Sequence, residues 1–224
     1  MSNALEFFSQ IWDLMKILSG SMMKTFEIFF LTLLFSLPLG LFISFLRMSK
    51  ISPVRWITKI YISVMRGTPL MLQLLLVYFG PYYIFGIRTN PNYRNIAVIV
   101  GFVLNYAAYF AEIYRSGIQG IPVGQYEAAK VLGYSKSQTF LRIIFPQVIK
   151  RILPPVTNEV ITLVKDTSLA FSIAVMEMFT VAKQTAAAQA SILPLIAAGI
   201  FYYIFNFIIA IIMENAEEKL NYYR

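Results

Sequence analysis

Stretches of roughly 20 consecutive apolar residues, the length a helix needs to cross the hydrocarbon of a bilayer, recur along this chain. Of its 224 residues, 58% are hydrophobic and 13% charged, whereas soluble domains carry roughly 25% charged residues. The fold expected is therefore all-α: a polytopic membrane protein built as one compact transmembrane domain. Five transmembrane helices are expected, over about 25–46, 57–79, 96–114, 153–175 and 192–213. The first contains Ser36, Pro38 and Gly40, which a membrane helix tolerates because neighbours can satisfy its backbone. Arg66-Gly67-Thr68-Pro69 predicts a break or kink in the second. In the fourth, Pro154-Pro155 can kink or open the helix start, and Lys165-Asp166-Thr167-Ser168 interrupts the run.

Ahead of the first span, Leu5, Phe8, Ile11, Trp12, Met15 and Leu18 recur at helical spacing, with Glu6, Asp13 and Lys16 elsewhere. This segment reads as an amphipathic helix on the membrane surface or as a simple extension of the first span. It lacks a short apolar core with a small-residue cleavage site, so the first span is expected to act as an uncleaved anchor. Between the second and third spans, Pro81, Gly86 and Asn90-Pro91-Asn92 are turn signals. The small-residue stretch 182–191 leads into the last span.

The net charge of +8 does not point to nucleic acid, because the basic residues fall mostly between the apolar runs, where they report topology. Arg47, Lys50, Arg55, Lys59, Arg115, Lys130, Lys136, Arg142, Lys150, Arg151, Lys219 and Arg224 fall on one side. Lys16, Lys24, Arg88, Arg94 and Lys183 fall on the other. The positive-inside rule puts the larger set in the cytoplasm, with the N-terminus outside and the C-terminus inside.

A polar insert separates the third and fourth spans, from Arg115 to Arg151. Pro122 and Gly124 open a first short helix, and Gly133, free to turn left-handed, can end it. Ser135 with Gln138 fits a capping box for a second helix, which Pro146 is expected to limit at Phe145. Ala128 and Ala129 would let another surface approach closely, and Glu127 offers a carboxylate to a basic partner. The insert is either a docking element or a solvated joint. Its length, and the availability of Tyr126, Val131, Leu132, Phe140, Leu141 and Ile144, favour docking.

With no Cys and no His, disulfides, haem and Cys/His zinc sites are excluded, and the scattered acids suggest no metal site. Gly20-Ser21-Met22-Met23-Lys24-Thr25 ends like a phosphate loop but lacks the glycine before lysine, and it follows no strand. An enzyme is not expected. Ionisable groups inside spans are costly and are functional candidates by default. Glu112 reads as one half of a helix-end pair with Arg115. Arg66, Lys165 and Asp166 read as gating or structural groups; Lys165 and Asp166 pair with each other, with Arg66 or across a dimer axis. Glu177, near the outer end of span four, reads as solvated. Glu159 has no basic residue three or four positions away and is a candidate to receive an ammonium or guanidinium group. Asn158, or Asn105 with Tyr109, could complete that site, and Thr68, Met71 and Gln73 beside the break could line the same cavity.

Glu127-Ala128-Ala129, Gly133 and Ile143-Ile144-Phe145-Pro146 resemble the EAA loop of ABC importer permeases. Arg66-Gly67-Thr68-Pro69-Leu70 with Gln73, Ala111-Glu112-Ile113-Tyr114-Arg115, Gly124-Gln125, Pro146-Gln147 and Lys165-Asp166-Thr167-Ser168-Leu169 resemble the polar amino acid branch of that family. The likeness runs from Met22 to about Glu218; Phe145 departs from the usual Leu. The resemblance implies a type I importer permease with an N-terminal segment (1–20), a permease domain (21–218) that includes a cytoplasmic coupling loop (116–150), and a tail (219–224). In it, Tyr126, Glu127, Ala128, Ala129 and Gly133 would couple to an ATPase. It further implies a bacterial cytoplasmic membrane location and a second permease subunit, in a homodimer. Two ATP-binding subunits would hold ATP and Mg, so this chain needs no cofactor, and an extracytoplasmic amino acid binding protein would deliver substrate. Lone Glu159 favours cationic amino acids. A neutral or acidic amino acid such as Gln or Glu, or a passive channel or secondary transporter, are the competing expectations.

Overall fold

The computed structural model describes residues 2–88, 90 and 92–220; the side chains of 2–8 and 10 are not among them. Leu5, Glu6, Phe8, Pro91 and tail residues 221–224, all used in the sequence reading, therefore lie outside what is described. The chain is helical throughout, with no strand among the described residues: α1 (Ser2–Arg47), α2 (Ser52–Gly67), α3 (Leu70–Phe85), α4 (Tyr93–Gln119), α5 (Val123–Val131), α6 (Lys136–Thr139), α7 (Phe145–Asp166), α8 (Met178–Gln189) and α9 (Leu193–Leu220). A π-helical turn over Phe140–Ile144 joins α6 to α7, and a 3₁₀ segment over Thr167–Ile173 follows α7.

Among the described residues, three segments are long and apolar enough to cross a bilayer by themselves: Ile11–Arg47, Tyr93–Gln119 and Leu193–Leu220. The pair α2–α3 passes jointly, bent by 112°. The expected break at Arg66–Pro69 is therefore a full corner rather than a kink. Helix α7 is the element expected as span four. It is too polar to pass on composition, because Lys150, Arg151, Glu159, Lys165 and Asp166 lie along it.

Of the two readings of the N-terminus, the structure shows the extension of the first span: among the described residues no surface helix stands apart, α1 runs unbroken over 46 residues, and Leu14 and Leu18 are buried in the main core. No helix breaker stronger than Gly20 intervenes, and the amphipathic stripe stays in phase with the apolar run, so helical bonding propagates straight through. The part from Ile11 alone is roughly 55 Å long, well beyond a hydrocarbon thickness of about 30 Å.

The core forms where α1, α3, α4, α7 and α9 meet. It contains Ile28, Phe29, Leu74, Phe102, Phe110, Leu163, Phe201 and Phe205. Phe26 sits edge-on to Phe201 and Phe205, with ring centroids 5.8 and 4.7 Å away, contacts worth about 0.5–1.5 kcal/mol each beyond their area. Helices α1 and α4 approach closely because the contact is made of small residues. A Cβ built on Gly40 would lie 2.8 Å from Phe110 Cβ and 3.1 Å from the Ala107 carbonyl. Without a hydrophobic force between helices in lipid, such close backbone packing carries association.

Contacts sort the molecule into two ends. At one, Arg151 Nη1 donates to the Gly120 carbonyl (2.6 Å) and the Thr157 hydroxyl meets Glu217, which brings the insert and the end of α9 together. At the other, the Met178 amide donates to Thr25 Oγ1 (3.2 Å), and Arg94 donates to the Ala174 carbonyl (3.3 Å). Glu177 belongs to this second end, and it is not solvated as expected. It is fully buried and caps α8, accepting from the Phe179 and Thr180 amides and from the Thr180 and Tyr202 hydroxyls at 2.7–2.8 Å.

Candidate functional site

The α2–α3 corner is made by Thr68, whose extended backbone (φ −122°, ψ 150°) is the conformation a residue before proline prefers. Turning the chain here frees carbonyls, and two amide side chains satisfy them. Gln73 Nε2 donates to Met65 O (3.0 Å), Thr68 O (3.1 Å) and Thr68 Oγ1 (2.8 Å). Asn105 Nδ2, from α4, donates to Met65 O (3.1 Å) and to Gln73 Oε1 (2.9 Å). Both amides are buried. The corner is thereby fixed to α4.

Beside this corner lies a cavity of about 270 Å³. Thr68, Pro69 and Leu70 form one wall; Asn105, Tyr106 and Tyr109 of α4 form a second; Glu159, Thr162 and Asp166 of α7 form a third, with Leu169 beyond them. Asp166 accepts a hydrogen bond from the Tyr106 hydroxyl at 2.8 Å. The Arg66 guanidinium stacks over Tyr109, 5.3 Å from the ring centroid, and lies within electrostatic reach of Glu159. Glu159 is partly exposed. It forms no ion pair within 4 Å among the described residues, where the pairs are Lys16–Asp13, Lys24–Glu27 and Arg115–Glu112. Two carboxylates and several hydroxyls thus line a semi-enclosed space, with the Arg66 guanidinium over Tyr109, an arrangement able to complement charges of both signs.

The structure places Glu159, Tyr109 and Thr68, three of the residues expected to contact substrate, around this cavity, together with Asn105, whose amide nitrogen is committed to the corner. It does not bring three other candidates there. Gln73 is committed to the corner behind it. Met71 is exposed and does not line the cavity, and Asn158 is exposed too, its carbonyl accepting from the Thr162 hydroxyl. Asp166, expected as gating or structural, is a lining residue. It pairs with Tyr106; neither it nor Lys165, which is exposed, forms an ion pair among the described residues. Tyr106 and Thr162 were missed by sequence reasoning. The signal was present: Glu159, Thr162 and Asp166 fall at i, i+3 and i+7, and Tyr106 and Tyr109 at i and i+3, each set on one helical face. Glu112 and Arg115 pair as expected, with Arg115 Nε 3.0 Å from Glu112 Oε2.

The insert forms a second site, with the hairpin of two short helices that was expected. Gly133 has φ +78°. The Tyr134 amide reaches the Ala129 carbonyl (3.0 Å) and the Gly133 amide reaches Lys130 O (3.1 Å), which is a Schellman stop to α5. Ser135 and Gln138 form the capping box. Pro146 does not end the second helix. The π turn lets the Phe145 amide bond to Phe140 O, and Pro146 falls in the first turn of α7, where its missing N–H is tolerated. Gln147 ties the hairpin to α7, donating to Gln125 Oε1 at 3.2 Å. Glu127 and Ala128 are exposed, but Ala129 is buried, so only one of the two alanines faces outward. Val131 (87% exposed), Leu132 (72%), Leu141 and Tyr126 remain available at the surface. Ile144, expected among them, is fully buried with Ile121, Val148 and Ile152, and Phe140 is partly covered. The hairpin thus exposes an apolar cluster on an otherwise polar surface.

Residues 36–222 match the family of the binding-protein-dependent transport system inner membrane component. The chain is 34% identical over 219 residues to the L-cystine transport system permease protein TcyB of Bacillus subtilis, covering 95% of this chain and 92% of that one. It is 37% identical over 217 residues to the arginine transport system permease protein ArtQ of the same organism, covering 96% and 97%. Among solved structures it resembles an amino acid ABC transporter crystallised with histidines, with a TM-score of 0.85 at 30% identity, covering 95% of this chain and 98% of that one.

Proposed function

The chain belongs to the family of binding-protein-dependent transport system inner membrane components, as the permease of an amino acid ABC importer, and from that premise we propose that it carries cationic amino acids through the cavity beside Glu159. The observation that carries the substrate reading is the Glu159 carboxylate, which lines a cavity of about 270 Å³ without an ion-pair partner. That volume is close to the lower end of ligand pockets, about 300 Å³, so it suits a single free amino acid. Glu159 would take the side-chain cation, Arg66 the α-carboxylate, and the Tyr106 and Tyr109 edges the remaining polar groups.

Transport would proceed by alternating access. This chain would pair with a second copy, two ATP-binding subunits would dock at the insert, and an extracytoplasmic binding protein would deliver substrate at the end carrying Arg94 and Glu177. ATP and Mg would sit on the ATPases, whose closure reaches the cavity only through the hairpin and α7. A ligand or partner shifts such an equilibrium only through differential contact with its two states.

The test is direct binding of arginine to the purified membrane complex, without the binding protein, before and after Glu159→Gln. A charge-assisted hydrogen bond is worth about 1.5–3 kcal/mol, so affinity should fall about 10- to 100-fold. Unchanged arginine binding would show that Glu159 is structural and remove the cationic reading. Glutamine binding equal to that of arginine in the unaltered protein would favour a neutral substrate instead.

A further inference from the structure

The corner between α1 and α2 holds a cleft that transport through the cavity does not use. It measures about 510 Å³ and is lined by Arg47, Ser52, Pro53, Arg55, Trp56 and Lys59. No Asp or Glu occurs in the sequence between Glu27 and Glu112, so neither α2, α3 nor their loops bring an acid to it; Glu112 of α4 lies within electrostatic reach of Arg47 but is paired with Arg115. Arg55 donates to neutral acceptors, Ser49 O (3.3 Å) and Ser52 Oγ (3.2 Å). None of the three cations forms an ion pair among the described residues. Helix α2 begins at this cleft, its Ile51 N-cap offers no side-chain cap, and a helix start carries partial positive charge.

The same cleft has an apolar flank. Trp56 is 65% exposed, and Ile57, Ile60 and Val64 continue along the open side of α2. Cations that only report topology need not converge. Here they converge on one cleft, with an indole at its edge and an apolar strip leading away from it. Indoles favour the headgroup level of a bilayer, and the strip suits acyl chains.

We propose that this cleft binds the headgroup phosphate of an anionic glycerophospholipid, held by Arg47, Arg55 and Lys59, with Trp56 packed at the glycerol level. The lipid would brace the α1–α2 elbow, and through α2 the corner at Thr68, against the leaflet. A free phosphate would use the cations but leave the apolar strip without a function.

The chain has two tryptophans, so in a Trp12→Phe background Trp56 alone reports. The full-length chain is placed in nanodiscs, and Trp56 quenching is followed with brominated phosphatidylglycerol or brominated phosphatidylcholine. Each juxtamembrane cation is worth about 1 kcal/mol toward anionic lipid, roughly fivefold, so half-quenching should need at least about fivefold less of the anionic lipid. Combined Arg47→Gln, Arg55→Gln and Lys59→Gln should abolish the preference, whereas Lys130→Gln with Lys136→Gln should keep it. If the triple variant does not insert, Arg55→Gln and Lys59→Gln tested singly should each lower the preference about twofold or more. Excess inorganic phosphate should not relieve the quenching. Equal quenching by both lipids, a preference that survives in the variants, relief by inorganic phosphate, or an equal loss in the Lys130/Lys136 control would each overturn the proposal.

Discussion

The Glu177 carboxylate accepts four hydrogen bonds and is closed off from solvent, although its sequence neighbours gave no reason to expect either. Its position just before Met178 is an N-cap, a role usually taken by a shorter side chain. The Tyr202 hydroxyl, 25 residues on, completes its environment from α9. That partner is a tertiary fact, and no local pattern announces it. Glu177→Gln keeps the shape but replaces one acceptor oxygen by a donor amide facing donors. Leaving buried partners unpaired costs about 1–3 kcal/mol each, so the variant should insert yet melt at clearly lower temperature in detergent. An unchanged melting profile would mean that the cap contributes nothing to this end of the molecule.

Among elements, the sequence was legible where backbone chemistry is local. Thr68-Pro69 announced the corner, Gly133 announced the stop to α5, and Ser135 with Gln138 announced the following cap. It was illegible where the consequence of a residue depends on how the chain relaxes around it. Pro146 looked like a terminator, but a π turn shifts the hydrogen-bond register and absorbs it. Pro154 and Pro155 sit inside α7 without interrupting it. The cavity was half legible: Glu159 stood out as a charge without a local partner, whereas Gln73 and Asn105 looked like ligands and serve the corner. The hairpin yields its own prediction. Gly133→Val forces a β-branched residue into a left-handed conformation, at about 1–2 kcal/mol or more, and dislodges α6 relative to α5. ATP hydrolysis by the assembled importer should lose its response to loaded binding protein while the chain still inserts. A normal response would show that the hairpin geometry is not what transmits the signal.

For the whole molecule, the two ends defined by contacts agree with the two classes of basic residue. The insert and the ends of α7 and α9 that meet it carry Arg115, Lys130, Lys136, Arg142, Lys150, Arg151 and Lys219 of the larger set, and Arg94 of the smaller set lies at the opposite end. A cysteine at Gly86 should therefore react with an impermeant maleimide in intact cells, and one at Lys136 only after permeabilisation. The opposite pattern would invert the orientation and remove the ATPase from the hairpin's reach. The corner at Thr68 has a consequence on this scale. A break in a membrane helix that leans on ordered water to occupy the carbonyls it exposes changes shape with hydration. Here protein amides hold those carbonyls from both sides. Were a transport cycle to flood and dry this cavity, the Met65 and Thr68 carbonyls would keep their partners throughout. Drying would then leave the shape of this wall unaltered, and the motion would fall to the helices packed against it.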